Sequence, residues 1–269
     1  MRATYLSDVS DDTGSGLGGE LGRLEAEAEH EVERVEHEVE RVEHDVSTEL
    51  GPAWRRLTDG EERWPAALGV LVMVVLQFRL PTPLTPTGHG VGPWVELLLL
   101  VVLVAVNPRR IKRRPRGIRT LSLTLIGVAT LINGWSVIAL INQLLSGGAY
   151  TGDARALLGV GANIWITNVI VFALWYWEFD RGGPGARAEG SDPEPDFLFP
   201  QMATPELGLT SWEPQFLDYL YVSFTNATAF SPTDTMPLSR WNKMTMLLQS
   251  AVSLVTAVLV IARAVNILP

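Results

Sequence analysis

The chain contains no cysteine, which excludes disulfides, thiolate metal sites and cysteine nucleophiles. Histidine is nearly as scarce. His30, His37 and His44 fall in an acidic helical stretch and His89 in a loop rich in glycine and proline, so no imidazole is left for a membrane-embedded active site. The opening residues, MRATYLSDVSDD, carry one arginine with no apolar core behind it. They lack the form of a secretory signal peptide, and the first apolar span has to direct targeting. Also missing are a paired nucleophile and base, a metal-ligand spacing and a phosphate-binding glycine loop. Nothing in the chain points to an enzyme, and no cofactor or metal is implied.

What is present divides sharply along the chain. Hydrophobic residues make up 47% although the net charge is -9, and the two tendencies are segregated. Residues 1–63 are acidic, whereas most of 65–178 and 216–268 is apolar, the pattern of a membrane protein with soluble appendages. Residues 1–19, rich in Asp, Gly and Ser, read as a disordered acidic lead-in.

Residues 20–50 read as an acidic coiled-coil helix. Val32, Val35, Val39, Val42 and Val46 alternate at spacings of three and four, the seam of a coiled coil. Glu31, Glu36, Glu38, Glu43 and Asp45 flank that seam and would repel one another in a parallel homo-oligomer, by a few tenths of a kcal/mol per pair. Docking on a basic partner would remove the repulsion. The three histidines share the outermost heptad position and read as a solvated face.

The transmembrane domain is expected over 64–269, with spans at about 65–80, 93–108, 120–145, 155–178 and 240–268. The first two apolar cores, Ala66 to Phe78 and Trp94 to Val106, are each only about 20 Å long as helices, so flanking residues would have to extend them across a hydrocarbon layer of about 30 Å. Glu96 reads as an interfacial or partner-facing acid. In the third and fourth spans, Asn133, Asn142, Gln143, Asn163, Thr167 and Asn168 should face other helices, as interhelical contacts or as a transport path. Trp175, Tyr176 and Trp177 read as an interfacial belt, with Glu178, Asp180 and Arg181 ending the span in water.

The run RRIKRRPRGIR, which holds Arg109, Arg110, Lys112, Arg113, Arg114 and Arg116, marks the cytoplasmic side. It places the N terminus in the cytoplasm as well. Without interleaved aromatics and with apolar spans on both sides, the run suits anionic lipid head groups or the acidic helix, and not nucleic acid. Residues 180–214 read as a Gly/Pro/acid-rich linker, re-anchored at the interface by Phe197, Leu198 and Phe199.

Residues 215–239 form a distinct segment. SFTNATAFSPTDTMPLS resembles the pore loop of tetrameric potassium-type channels, where a short helix runs into T-V-G-Y-G-D. Thr228, Ala229, Phe230, Ser231, Pro232, Thr233 and Asp234 align without a gap, but both filter glycines are absent. Pro232 has a fixed φ and no amide hydrogen, which is incompatible with a row of inward carbonyls, so potassium selectivity is not expected. The wider block FLDYLYVSFTNATAFSPTDTMPLSRWNKMTMLLQSAVSLVTAVLVIARAVNIL, preceded by DFLFPQ, is similar to the end of a family of uncharacterised bacterial inner-membrane proteins. That resemblance covers about residues 64–269 and implies architecture and a bacterial inner-membrane location, without an activity.

The expected class is thus all-α: a polytopic membrane helix bundle of about five spans, a short re-entrant or interfacial helix at 215–239, and an N-terminal cytoplasmic coiled-coil helix. A complete crossing at 215–230 would make six spans and put Arg240 and Lys243 outside, against the charge rule. Two functions follow. One is a channel-like or permease-like homo-oligomer, with Thr225, Thr228, Ser231, Thr233 and Asp234 lining the path. The alternative is a membrane-anchored scaffold that recruits a basic partner through its acidic helix.

Overall fold

A computed structural model describes residues 34, 55, 57–86, 91–106, 116–147, 152–190, 194–204, 211–228 and 234–267. The chain divides into two units, 1–51 and 52–269. The coiled-coil helix expected at 20–50 lies outside the described residues except at Arg34, which is helical. The fold below is that of the second unit, whose described residues are mainly α-helical with a few short extended segments.

Helix α1, Trp64–Phe78, starts with a proline in its first turn and runs through uninterrupted apolar residues, a start that tolerates proline's missing amide hydrogen. Arg79 closes it by donating to the carbonyls of Gln77 and Leu76. A 3-10 turn at Thr82–Leu84 follows, then α2, Gly92–Val106. Arg63, before α1, donates to the Leu103 carbonyl near the end of α2 at 2.9 Å, so the two helices form an antiparallel hairpin. At 15 residues each they measure about 22 Å, less than a bilayer core. The expected extension of α1 to residue 80 does not occur. Pro81, Pro83 and Pro86 break the helix, and Leu80 and Leu84 are instead buried with Val137, Leu140, Leu157 and Ile164.

Among the described residues, three helices are long and apolar enough to cross a membrane: α3, Arg116–Ser146, α4, Ala154–Phe179, and α8, Arg240–Ile267. Asp153 caps α4, its side chain accepting from the amides of Arg155 and Ala156, which satisfies donors that a helix start leaves open. Between α4 and α8 the chain forms α5, Pro184–Glu189, strand β1, Phe197–Leu198, α6, Pro200–Ala203, α7, Phe216–Thr228, and strand β2, Met236–Pro237. Strands β1 and β2 pair antiparallel, Phe197 opposite Pro237 and Leu198 opposite Met236.

Helix α4 is the centre of the bundle and packs against α1, α3, α7 and α8. It is antiparallel to α3, through Thr130–Trp175 and Asn133–Asn168, and to α8, through Asn168–Ser253. The ends of α4 and start of α8 therefore lie together, with the Phe179 and Trp241 rings 5.7 Å apart. By contrast, α8 turns Trp241, Met244, Leu247, Leu254, Val258 and Ile261 outward. So large an exposed apolar face suits lipid or another membrane chain and not water. This face and the three long apolar helices fit a helical membrane protein.

Helix α7 and its flanks determine how residues 216–239 are arranged. Its start is held at the Phe179 end, where the Phe216 amide donates to Glu61 and the Tyr219 hydroxyl to Asp180. Deeper along it, the Ser223 hydroxyl donates to the Val169 carbonyl, about 15 Å along α4 from Phe179 at 1.5 Å per residue. The chain then comes back: the Leu238 amide donates to the Asp196 carbonyl, beside the β1–β2 ladder. Residues 216–239 thus enter and leave at one end of the bundle. Asp218 organises the entry by accepting from the Gln215 amide at 2.8 Å.

Candidate functional site

Polar chemistry gathers at the end of the bundle and along its interior. At the end, the sequence EFDRGGPGAR folds into a tight turn. Arg181 takes a left-handed conformation (φ 52°) and Gly183 one at φ 94°. A Cβ on Gly183 would sit 3.0 Å from the Glu178 carbonyl oxygen, so both space and backbone angle demand glycine there. The turn throws Arg187 back under the end of α4. Its Nη1 donates to the carbonyls of Trp177 (2.7 Å) and Asp180 (2.9 Å), and its Nη2 to Glu61 Oε1 (2.9 Å).

Each carboxylate of this cluster ties several segments together. Glu61 accepts from Arg187, from the Trp177 indole and from the Phe216 amide. Burial pushes its carboxyl above the usual range, while the Arg187 charge and these donors pull the other way. Asp180 Oδ1 accepts from the amides of Asp196 (2.8 Å) and Phe197 (3.2 Å), and Oδ2 from the Tyr219 hydroxyl (2.6 Å). The Arg187 guanidinium also lies over the Tyr219 ring, 5.1 Å from its centre, a cation–π contact.

This arrangement overturns three sequence expectations. Glu178, Asp180 and Arg181 do not end the span in water but are buried. Tyr176 and Trp177 are not an interfacial belt, because both are buried and their polar tips bond within the protein. The stretch expected as a linker at 180–214 is folded at 180–190 and 194–204, with Phe197 and Phe199 in the core. Buried charges need partners, and these arrive from other segments: Arg119 lies 3.8 Å from Glu178, Tyr219 and the amides of Asp196 and Phe197 bond Asp180, and Glu61 takes the Trp177 indole. Of the two readings of Glu96, interfacial or partner-facing, the structure gives the second: it is fully buried and accepts from Gln77 at 2.9 Å.

The interior carries a second network centred on Gln249 of α8. Its Oε1 accepts from the Tyr176 hydroxyl (2.6 Å) and Asn226 Nδ2 (2.8 Å), and its Nε2 donates to the Ser223 carbonyl and hydroxyl. Asn226 donates to the Met246 carbonyl and accepts from Ser250. One step along, Asn133 donates to Asn168, which donates to Ser253. Amides in an apolar bundle thus join α3, α4, α7 and α8, as polar groups in lipid should. Gln249→Leu is expected to cost about 1–3 kcal/mol, through donors and acceptors left buried without partners. Equilibrium unfolding of purified protein measures it, and wild-type stability would show that this network does not hold α7 in place.

Of the residues expected to line a path, Thr225 and Thr228 sit one turn apart on α7. The Thr225 hydroxyl bonds the carbonyls of Tyr221 and Val222, and that of Thr228 the carbonyl of Thr225. Asp234 is exposed beside the returning strand. Ser231 and Thr233 lie outside the described residues. So do Arg109, Arg110, Lys112, Arg113 and Arg114, and the side chain of Arg116, the first residue of α3. The sequence reading missed Glu61, Arg187 and Gln249 as organising residues. A signal existed for Arg187, since glycines at 182, 183, 185 and 190 around an arginine mark a tight return of the chain.

Two cavities separate structural from functional roles. The space beside Glu61 and Arg187 is about 10 Å³, room for no more than about one water, so the charged cluster is closed. A groove of about 560 Å³ between α1, α4 and α7 is lined by apolar and aromatic side chains such as Leu68, Trp165 and Phe224. It lacks the convergent polar groups that orient a polar substrate. No protein-family model, curated protein or solved structure matches the chain.

Proposed function

We propose that the protein is a channel-like or permease-like membrane protein that works as a homo-oligomer, with residues 216–239 along the path. The observation that carries this reading is the return of that segment: a short helix, α7, whose two flanks are held at one end of the bundle through Glu61, Asp180 and Asp196. Helix α7 ends within the bundle's thickness, where its Asn226 donates to Gln249 and to the Met246 carbonyl of α8, a depth from which a segment can border an aqueous route. One such segment is a fraction of a ring, so the route requires several copies about an axis. The outward apolar face of α8 offers surface for their packing. Exposed Asp234 supplies each copy with a negative charge that would attract cations at the mouth.

The resemblance to uncharacterised bacterial inner-membrane proteins supports this architecture, with the basic run on the cytoplasmic side facing anionic lipid. Ion flux from liposomes carrying wild type or Asp234→Asn, at matched incorporation, tests the function. Wild-type liposomes are expected to leak cations, with a several-fold lower flux for Asp234→Asn. Tight wild-type liposomes from well-folded protein, or flux indifferent to Asp234, would refute it.

A further inference from the structure

A separate polar site lies where the α1–α2 hairpin meets α4. Gln77, in the last turn of α1, donates Nε2–H to Glu96 Oε1 of α2 at 2.9 Å. Asn163 of α4 donates Nδ2–H to the carbonyl of Leu76, the residue before Gln77, also at 2.9 Å. All three side chains are buried. Each has spent its amide hydrogen or one carboxylate oxygen in these contacts and keeps another oxygen: Gln77 Oε1, Glu96 Oε2 and Asn163 Oδ1 have no hydrogen-bond partner among the described residues. No cationic side chain pairs with Glu96 among them either.

Gln77 and Glu96 are in contact and Asn163 meets the carbonyl next to Gln77, so three spare acceptors, one on a carboxylate, fall in one region and make it electronegative. The setting adds to it, because the closing carbonyls of α1 carry the negative end of the helix dipole. An isolated carboxylate in such surroundings is strongly unfavourable, and it is relieved by a bound positive charge. We infer that Gln77, Glu96 and Asn163 form a binding site for a monovalent alkali cation. Hard oxygen donors suit such an ion. A single carboxylate balances one charge, whereas a divalent ion would leave an uncompensated positive charge in an apolar interior. The Gln77–Glu96 and Asn163–Leu76 bonds keep the donor groups in place, and binding would lock the hairpin onto α4. The inference is independent of whether residues 216–239 conduct.

Thermal unfolding of the purified full-length protein in detergent, titrated with sodium, potassium or lithium chloride, provides the test. Ionic strength is held constant with N-methylglucamine chloride. Wild type is expected to show a saturable rise in Tm, of about 5 °C at a hundredfold excess over Kd, and Glu96→Gln to lose it. Gln77→Met, which keeps the charge but removes one neutral oxygen and the Nε2–H bond that holds Glu96, should raise the half-saturating concentration about tenfold and serves if Glu96→Gln does not fold. A wild-type Tm indifferent to the cation would overturn the site, including one that responds to pH alone, the sign of a carboxyl that is simply protonated. A rise retained undiminished in Glu96→Gln would equally overturn it.

Discussion

Arg187→Met should destabilise the folded protein by about 3–5 kcal/mol, the range for removing one partner of a buried ion pair. The effect is large because Arg187 does several things at once. It neutralises Glu61, occupies the carbonyls of Trp177 and Asp180, and covers the Tyr219 ring. Methionine fills similar volume but leaves the Glu61 carboxylate buried and short of its cation, next to a cavity of about 10 Å³ that cannot take enough water to solvate it. Chemical or thermal unfolding of the purified protein in detergent measures the loss. The double variant Glu61→Gln/Arg187→Met removes the uncompensated charge along with its partner, so it should recover part of the stability. A coupling between the two substitutions near zero, in a full double-mutant cycle, would mean that the pair contributes nothing specific.

Gly161→Leu is expected to have the second large effect, at the upper end of the roughly 1–3 kcal/mol cost of overpacking. A Cβ at this position would stand 2.6 Å from Val260 Cγ1 and 2.9 Å from its Cγ2. Valine in a helix has one strongly preferred rotamer, so it cannot swing aside and α8 has to move. That movement would pull Ser253 from Asn168 and Gln249 from Tyr176, whose bonds at 3.0 and 2.6 Å span the same interface. Gly161→Ala gains helix propensity of about 1 kcal/mol against the same clash and should be milder. Adding Val260→Ala should restore much of what Gly161→Leu loses. Unfolding midpoints of the three variants measure this, and a Gly161→Leu protein as stable as wild type would show that the close approach of α4 and α8 is dispensable.

Both effects depend on contacts between residues far apart in the chain, which explains what was legible beforehand. The long helices were visible because uninterrupted apolar runs leave the backbone no alternative in lipid but internal hydrogen bonding. Asp153 before α4 and Asp218 in the first turn of α7 make contacts of short range, each accepting from a neighbouring amide. The candidate residues Thr225, Thr228 and Asp234 could be picked out by their pattern, but nothing in that pattern said that the two threonine hydroxyls would turn back onto their own helix. Glu61 looked like one acid among many at the edge of an acidic region. Its partner Arg187 lies 126 positions away, beyond any helical or strand period.

By itself, then, the amino-acid sequence determined the class of solvent and the class of backbone: no cysteine chemistry, no histidine in the apolar runs, helices wherever apolar runs are long, breaks where prolines cluster. Those properties follow from each residue's own transfer energy and dihedral limits, which need no partner. Only the tertiary structure decided which polar groups are taken out of water. Glu178, Asp180 and Arg181 read as groups ending a span in water, yet all three are buried, and Glu96, readable as interfacial or as partner-facing, is buried against Gln77. Whether a charge can be buried depends on donors and acceptors arriving from other segments, and that is settled by how α4, α5, α7 and the α1–α2 hairpin pack together.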